Sequence, residues 1–400
     1  MRNPRANPGL HFAPAFLRQE LRDSWRAPWV RAAGFSSIDT NEFLSRPVGL
    51  TAPSQTGGGW FGVLSYDDFC VDPRPGAMRG RGAVSDVAAK SRIYRVDRLE
   101  PYLPGSINDG GNALSLVPRA SGERHRDLIS TAIESIRSGR FYQVNLLRYF
   151  DVSTEGDAHA SLTRRLNDVR PPWGFALEQV TDDIDDDALC IVSFSPERFV
   201  QVLPHAESGE MRVATWPIKG TMPRDRDPAR DAVNAEQLLS SPKDLAELHM
   251  IVDLLRNDLL GVCRPGSVEV MAPHRLKSFS HVHHLESEIA GTLRPRISWG
   301  EFFSTLLPGG SVTGAPKIEV MQAIREAEER NRGFFMGTAF WLDDSGELNS
   351  SILIRTAVRS SAGRSYEYAA GSGITVRSIP ELEVAEVAAK CSVVGAILST

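Results

Sequence analysis

The chain has 400 residues, of which 42 % are hydrophobic, enough to bury one large core or two ordinary ones, and it reads as globular. Its 45 basic and 50 acidic residues leave a formal net charge of −5 and form no basic stripe, so nucleic acid is not an expected partner. No apolar run approaches the roughly 20 residues that span a bilayer. The opening MRNPRANPGLHFAPAFLRQE also lacks the apolar core of a secretion signal, so no membrane partner and a cytoplasmic location are expected.

In chain order, residues 1–55 are rich in Arg, Pro and Trp without clean periodicity and read as a peripheral N-terminal segment packed on one compact unit over 56–400. From GGWFGVLSYD (58–67) onward strand-like runs alternate with helical patterns, interrupted by a Gly/Pro/Arg-rich stretch at 73–82 and a Gly/Asn turn at 105–112. An amphipathic helix is expected over 126–138, then a strand over 141–152, with further strands in 189–203 and 211–218. A long helix over 243–260 follows from Leu245, Leu248, Val252, Leu255 and Leu259, which recur at three- and four-residue intervals. Another helix begins near Pro316, whose fixed φ suits a first helical position. A hairpin is expected from FFMGTAFWL (334–342), the turn DDSG and ELNSSILIRTAV (347–358). The last helix is signalled by Ser378 as cap, Pro380 at its first position and Glu381 completing a capping box. Hairpins separated by helices, with no GxGxxG or Walker loop, predict an α+β fold with antiparallel sheets. The cysteines Cys70, Cys190, Cys263 and Cys391 lie far apart without a CxxC pair and are expected to be reduced, mostly buried thiols.

Several residues carry chemistry. Asp244 and Glu247 are three apart on the long helix, and Glu383 and Glu386 repeat that spacing on the last, with Lys390 one turn further on. Such acids ordinarily form a solvated face, but two pairs brought face to face would supply the oxygen ligands of a Mg²⁺ site. Lys219, between an apolar strand and a Gly-Thr turn, is either an ordinary strand-end lysine or an amine directed into a cleft, where desolvation makes it nucleophilic. Glu197 in SFSPERF is a semi-buried proton donor or the ion-pair partner of Arg198. PGGSVTGAPK (308–317) is a helix-capping loop or an anion-binding one, with Ser311 and Thr313 among its backbone N–H groups. Arg355, in the apolar run ILIRTAV, needs a carboxylate, internal or on a ligand. His284 belongs to a cluster with His281 and His283, for which a structural role is the common outcome.

Taken together the chain resembles the chorismate-utilising enzymes, a family that includes anthranilate, aminodeoxychorismate, isochorismate and salicylate synthases. The resemblance runs from about Gly58 to Lys390 through GGWFGVLSYD, FYQVNL, SFSPERF, PIKGTMPR, KDLAELHMIVDLLRNDL, VHHLESEIAG, PGGSVTGAPK, RGFFMG, IRTA, GSGI and PELEVAEVAAK, in family order. It implies two packed antiparallel sheets flanked by helices, with the site in a cleft between them. It also implies Glu247 and Glu386 as principal Mg²⁺ ligands, supported by Asp244 and Glu383. Arg355 and the backbone around Gly371 and Gly373 would hold one carboxylate of chorismate. Thr221, His284 and Thr313 match positions lining the substrate, Lys390 matches a lysine near a substrate carboxylate, and Glu197 matches the acid that assists loss of the 4-hydroxyl.

Two positions choose among branches. Lys219 stands where anthranilate synthases usually have Ala, and the resemblance implies a nucleophile that attacks ring carbon 2 so that ammonia can enter at carbon 4. Gln143 stands where isochorismate and salicylate synthases carry a lysine that activates water, and a glutamine is no such base. Two departures matter: Phe335 replaces a tyrosine and removes a hydroxyl from the substrate pocket, and Asp244 replaces a longer glutamate. No LLES-type element is found, so feedback by tryptophan is not expected, and no GxCxG segment is found, so ammonia is expected from a separate glutamine amidotransferase subunit or from solution. The alternatives are an anthranilate-forming synthase and a catalytically silent chorismate-binding subunit; retention of Lys219, Glu197 and all four helix acids speaks against the second.

Overall fold

A computed structural model of the chain describes residues 9–13, 16–17, 29–48, 58–69, 91–102, 113–179, 188–205, 208–278, 282–360, 365–394 and 397–398. The stretches expected at 73–82 and 105–112, Cys70 and His281 lie outside these. The fold is α+β, as its alternating patterns predict. Its strands hydrogen-bond into one network that bends into two halves. In the first half the order is Gly9–Phe12, Phe175–Gln179, Leu189–Ser193, Thr356–Ser360, Glu367–Thr375, Gln143–Ser153 and Ser115–Pro118, all antiparallel. In the second it is Trp29–Ile38, Arg92–Tyr102, Gly59–Leu64, Thr338–Asp343, Leu348–Ile352, Arg198–Pro204, Met211–Thr215 and Val282–Thr292. Val282–Thr292 also pairs with Ile218–Pro223 and Glu269–Ser278. Short Gly9–Phe12 pairs with both Phe175–Gln179 and Trp29–Ile38 and so joins the halves.

Successive side chains of a strand point to opposite faces, and the Gln143 strand shows what this does. Leu147 and Tyr149 enter the main core with Phe61, Phe175 and Trp341. Val144 and Leu146 face the helices through Ile129, Ile133, Val320 and Ile324, and Phe150 and Val152 meet Leu162, Tyr368 and Val387. Where residues 1–55 are described they pack into the main core: Phe12 and Phe16 are completely buried in it, Phe12 stacked on Phe61 at 5.7 Å between centroids. Aromatic side chains this large contribute too much apolar burial to remain outside.

The expected helices form with shifted ends. The first long one spans Gly122–Arg137, capped by Ser121 Oγ, which accepts from Arg124 N–H at 3.2 Å. The next spans Pro242–Leu260, with Ser241 as N-cap and Pro242 in the first turn. Pro316 is the N-cap of Lys317–Glu328 rather than its first residue. The last helix, Pro380–Cys391, starts with Pro380 as expected, but its N-cap is Ile379 and no capping box forms, because Ser378 Oγ accepts from Thr375 N–H at 3.0 Å instead.

Two strand runs break where the site needs a turn. The run 189–203 divides at Phe194–Glu197, where Pro196 has no N–H to give a ladder, and Glu197 stands at the break. In the hairpin, Asp343 Oδ1 accepts from Ser345 N–H at 2.8 Å and Gly346 takes φ 89, so the DDSG turn closes as expected. The returning strand, however, ends at Ile352, and Arg355 is not on a strand: it takes φ 52 in the turn before Thr356. Cys190, Cys263 and Cys391 are free, buried thiols.

Candidate active site

Lys219, Arg355 and Lys390 come from three separate segments and all act electrostatically on Glu197, which lies on a fourth. Glu197 keeps a part-exposed edge, yet the protein around it is dense enough that desolvation pushes its carboxyl above the usual range, against the pull of Lys219, the Ser311 hydroxyl, Arg355 and Lys390. Ser311 Oγ donates to Glu197 Oε1 at 3.2 Å, which ties the PGGS loop to the strand break. Sequence reading placed Ser311 only in an anion-binding loop; no local pattern links it to a residue 114 positions away.

Lys219 is carried by Ile218–Pro223, and Gly220 beside it takes φ 76. A side chain on Gly220 would stand 2.9 Å from Leu238 Cδ1 and 3.0 Å from Asp244 Cβ, so glycine lets this strand lie against the Pro242–Leu260 helix. On the far side, a Cβ on Gly373 would stand 3.5 Å from Lys219 Nζ and 3.2 Å from Gln143 Nε2. Gln143 is 1 % exposed, and neither its Nε2 nor its Oε1 has a hydrogen-bond partner among the described residues. Asn145, two residues along the same strand face, has an unmet Oδ1 as well. The period-two pattern of FYQVNL was the available signal for it.

Gly371 and Gly373 lie on Glu367–Thr375, whose pairing with Thr356–Ser360 extends only over Glu367 to Ala369. Beyond Ala369 that edge meets no further strand among the described residues. Lys390 Nζ donates to Gly371 O at 2.7 Å and pairs with Glu386 Oε1 at 2.7 Å. Thr221 and His284 are register partners, joined by Thr221 Oγ1 and His284 Nδ1 at 2.9 Å. Burial pushes the His284 imidazole below its usual range, Gly220 O opposes this, and Arg355 adds to it. His283, on the opposite face, is structural: it bonds Ser278 Oγ at 2.7 Å and Asp231 Oδ1 at 3.0 Å.

The helix acids converge in part. Desolvation raises the Glu247 carboxyl, Lys219 and Lys243 oppose it, and the negative charges of Asp244 and Glu383 raise it further, so acids of both helices meet. Asp244 also accepts from the Ser241 hydroxyl. Among the described residues no three His, Cys, Asp or Glu side chains close around one point. The remaining two candidates sit in packing roles: Thr313, fully buried, donates its hydroxyl to Gly309 O at 2.9 Å, and the Phe335 ring meets Tyr149 edge-on at 5.8 Å.

An α+β scaffold in which Lys219 acts on both Glu197 and Glu247, with Arg355 and Lys390 also acting on Glu197, has the side chains of a small-molecule enzyme. The model of the chorismate binding enzyme family matches residues 8–395, and the chain belongs to that family. Among curated relatives, aminodeoxychorismate synthase component 1 of Salmonella typhimurium is 40 % identical over 251 residues, 63 % of this chain and 52 % of that one. Anthranilate synthase component 1 of Geobacillus stearothermophilus is 33 % identical over 315 residues, 77 % of this chain and 58 % of that one. The chain therefore spans about half the length of the curated relatives it matches. Among solved structures, anthranilate synthase component I from Streptococcus pneumoniae superposes with TM-score 0.70 at 21 % identity, covering 98 % of this chain and 93 % of that one. The menaquinone-specific isochorismate synthase from Escherichia coli gives 0.66 at 17 % identity, covering 98 % and 88 %. These likenesses establish the fold. No helix of the described residues is long and apolar enough to cross a membrane.

Proposed function

We propose that the chain catalyses the aminodeoxychorismate synthase reaction, the Mg²⁺-dependent amination of chorismate with ammonia to 4-amino-4-deoxychorismate. The observation that carries this reading is Lys219: its amine stands beside Gly373 and Gln143 and acts on both Glu197 and Glu247. Lys219 Nζ would attack ring carbon 2, the ring double bonds shift, and the bond from carbon 4 to its hydroxyl breaks. Glu197, whose carboxyl desolvation pushes above its usual range, gives its proton to the departing oxygen, which leaves as water. Ammonia then bonds to carbon 4, the bond to Lys219 breaks, and the proton shed by the incoming nitrogen returns to Glu197.

Arg355 and the unpaired backbone edge at Gly371 and Gly373 would hold one substrate carboxylate, with Lys390 nearby. Thr221 and His284 would line the ring, Phe335 and Thr313 would shape the pocket behind it, and Gln143 would offer its unmet amide to a substrate oxygen. Glu247 and Glu386, supported by Asp244 and Glu383, would hold Mg²⁺. The donor set fits: hard oxygens, with the Glu247 carboxyl raised by desolvation and by the neighbouring charges of Asp244 and Glu383, while Glu386 would share its charge with Lys390. Magnesium is ordinarily bound by one or two carboxylates, with water and substrate oxygens completing the shell. When bound it supplies positive charge to the substrate's ring carboxylate. A separate glutamine amidotransferase subunit would supply ammonia, in the cytoplasm.

Anthranilate formation is the second reading, favoured by the 33 % identical relative of that name. Incubation with chorismate, Mg²⁺ and ammonium, with products identified by mass, separates the readings: aminodeoxychorismate supports the proposal, anthranilate the second, and no product a silent binder. Lys219→Ala should abolish or redirect amination, and unchanged rate and product in that variant remove the covalent step.

A further inference from the structure

Strand Gln143–Ser153 has two unlike edges. One pairs with Glu367–Thr375 along Gln143 to Asp151 and carries Gly371 and Gly373. The other pairs with Ser115–Pro118 from Phe150 onward and with Gly314–Ala315 at Gln143 and Val144, leaving Asn145 to Tyr149 between them. In that gap Leu147 N–H donates to Glu328 Oε1 at 3.0 Å, and a cavity of about 310 Å³ opens along it. The cavity thus lies on the edge of Gln143–Ser153 that faces away from Glu367–Thr375.

The charges lining the cavity do not cancel. Arg119 is met by Asp151 at 2.6 Å, Arg124 by Glu329 at 2.8 Å and Arg330 by Glu367 at 3.0 Å, while Glu328 is met by Arg332 at 2.6 Å. Arg148 spends Nε and Nη2 on the Ala120 carbonyl, at 3.3 and 3.0 Å, and has no carboxylate partner among the described residues. A half-buried guanidinium without a counterion is costly to keep. Beside it begins the 16-residue helix Gly122–Arg137: a Cβ on Gly122 would stand 4.0 Å from Arg148 Nη1, so the positive helix end adds to the same field. His125, 2 % exposed, lines the cavity with an Nε2 that has no partner among the described residues. Burial and Arg148 push its imidazole down to about 4, so it meets a ligand as a neutral ring. The remaining wall is apolar: Leu128, Leu147, Ala327 and the Tyr149 ring, which the Arg330 guanidinium covers at 4.0 Å.

We propose that this cavity is a second ligand site that takes a small aromatic carboxylate, its anionic end on Arg148, His125 and the start of the Gly122–Arg137 helix, its ring against Leu128, Leu147 and Tyr149. One surplus positive charge selects a monoanion, and the apolar wall selects a ring over bare phosphate. The proposal is independent of the reaction assigned to the cleft.

The test is calorimetric titration of the full chain with sodium benzoate as probe. Saturable binding is expected, with affinity reduced about tenfold or more in Arg148→Met, since a charge-assisted hydrogen bond is lost. Ala327→Phe, at a half-exposed helix position, should fill the cavity and give the same loss while melting like the parent. Saturating chorismate should leave benzoate affinity unchanged, and inorganic phosphate should not displace it. No saturable binding, equal affinity in parent and both variants, displacement by chorismate, or displacement by phosphate would each overturn the assignment.

Discussion

Lys219 and Gln143, 76 positions apart in the chain, face the same small gap above Gly373, at 3.5 and 3.2 Å from where a side chain there would begin. The gap exists because that residue has no Cβ, and it separates two glycines that otherwise look alike. Gly373→Ala meets only the ends of two side chains, so stability should change by no more than about 1 kcal/mol while chorismate turnover falls at least about tenfold. Gly371→Ala sets its methyl 2.3 Å from Leu146 O, a backbone atom that cannot swing aside, and should cost about 1 to 3 kcal/mol. Urea melts and steady-state kinetics on the two variants check this split.

Glu197 titrates above the usual carboxylate range because burial disfavours its charge. Between the ordinary and the raised value the folded chain holds a proton that the unfolded chain has lost, so stability falls as pH rises through that window. Glu197→Gln should flatten that slope and keep or raise the melting temperature at neutral pH, while kcat drops about 10²- to 10⁴-fold, the usual worth of a general acid. In the parent, turnover should fall as pH rises through the raised value. A variant that lost both stability and turnover would point to a structural carboxylate instead.

Lys317 Nζ pairs with Asp258 Oδ2 at 2.7 Å under the start of the Lys317–Glu328 helix, and burial, opposed by that lysine, raises the Asp258 carboxyl to about 6. Lys317→Met leaves a buried carboxylate unpaired at neutral pH and should cost about 3 to 5 kcal/mol. Without the lysine the carboxyl rises further, so the deficit should shrink as pH falls toward about 6, where the parent's own carboxyl becomes protonated too. Denaturant melts at neutral pH and in mild acid measure the difference.

Glu247 carries the metal prediction, because desolvation raises its carboxyl and the charges of Asp244 and Glu383, one from each helix, raise it further. Adding Mg²⁺ at a hundred times its dissociation constant should stabilise the parent by about 2.7 kcal/mol, and Glu247→Gln should lose most of that gain. Chelation should stop turnover, and added Mg²⁺ should restore it. An equal thermal shift in parent and variant would remove Glu247 from the ligand set.

The elements were legible because helix and strand periods are local. Leu245 to Leu259 marked one buried stripe, and the same spacing put Asp244 with Glu247 and Glu383 with Glu386 on shared faces. Ser378 and Arg355 were misread for a related reason. A serine before Pro380 is equally able to serve the preceding turn, and an arginine inside ILIRTAV looks like strand until the chain needs a left-handed residue to turn back.

Periodicity and motif order were thus enough to determine the fold class, the helix acids, the lysine and the family. Only the tertiary structure decided which of these residues meet. Ser311 reaches Glu197, Glu247 feels Glu383, and Gln143 lies beside Lys219 with its amide unmet, while Arg148 is left without a counterion on the other edge of the same strand. A local pattern reports what lies within a turn or along a strand face. Distances between segments a hundred residues apart depend on how sheets and helices pack, and burial and unpaired charge arise only from that packing.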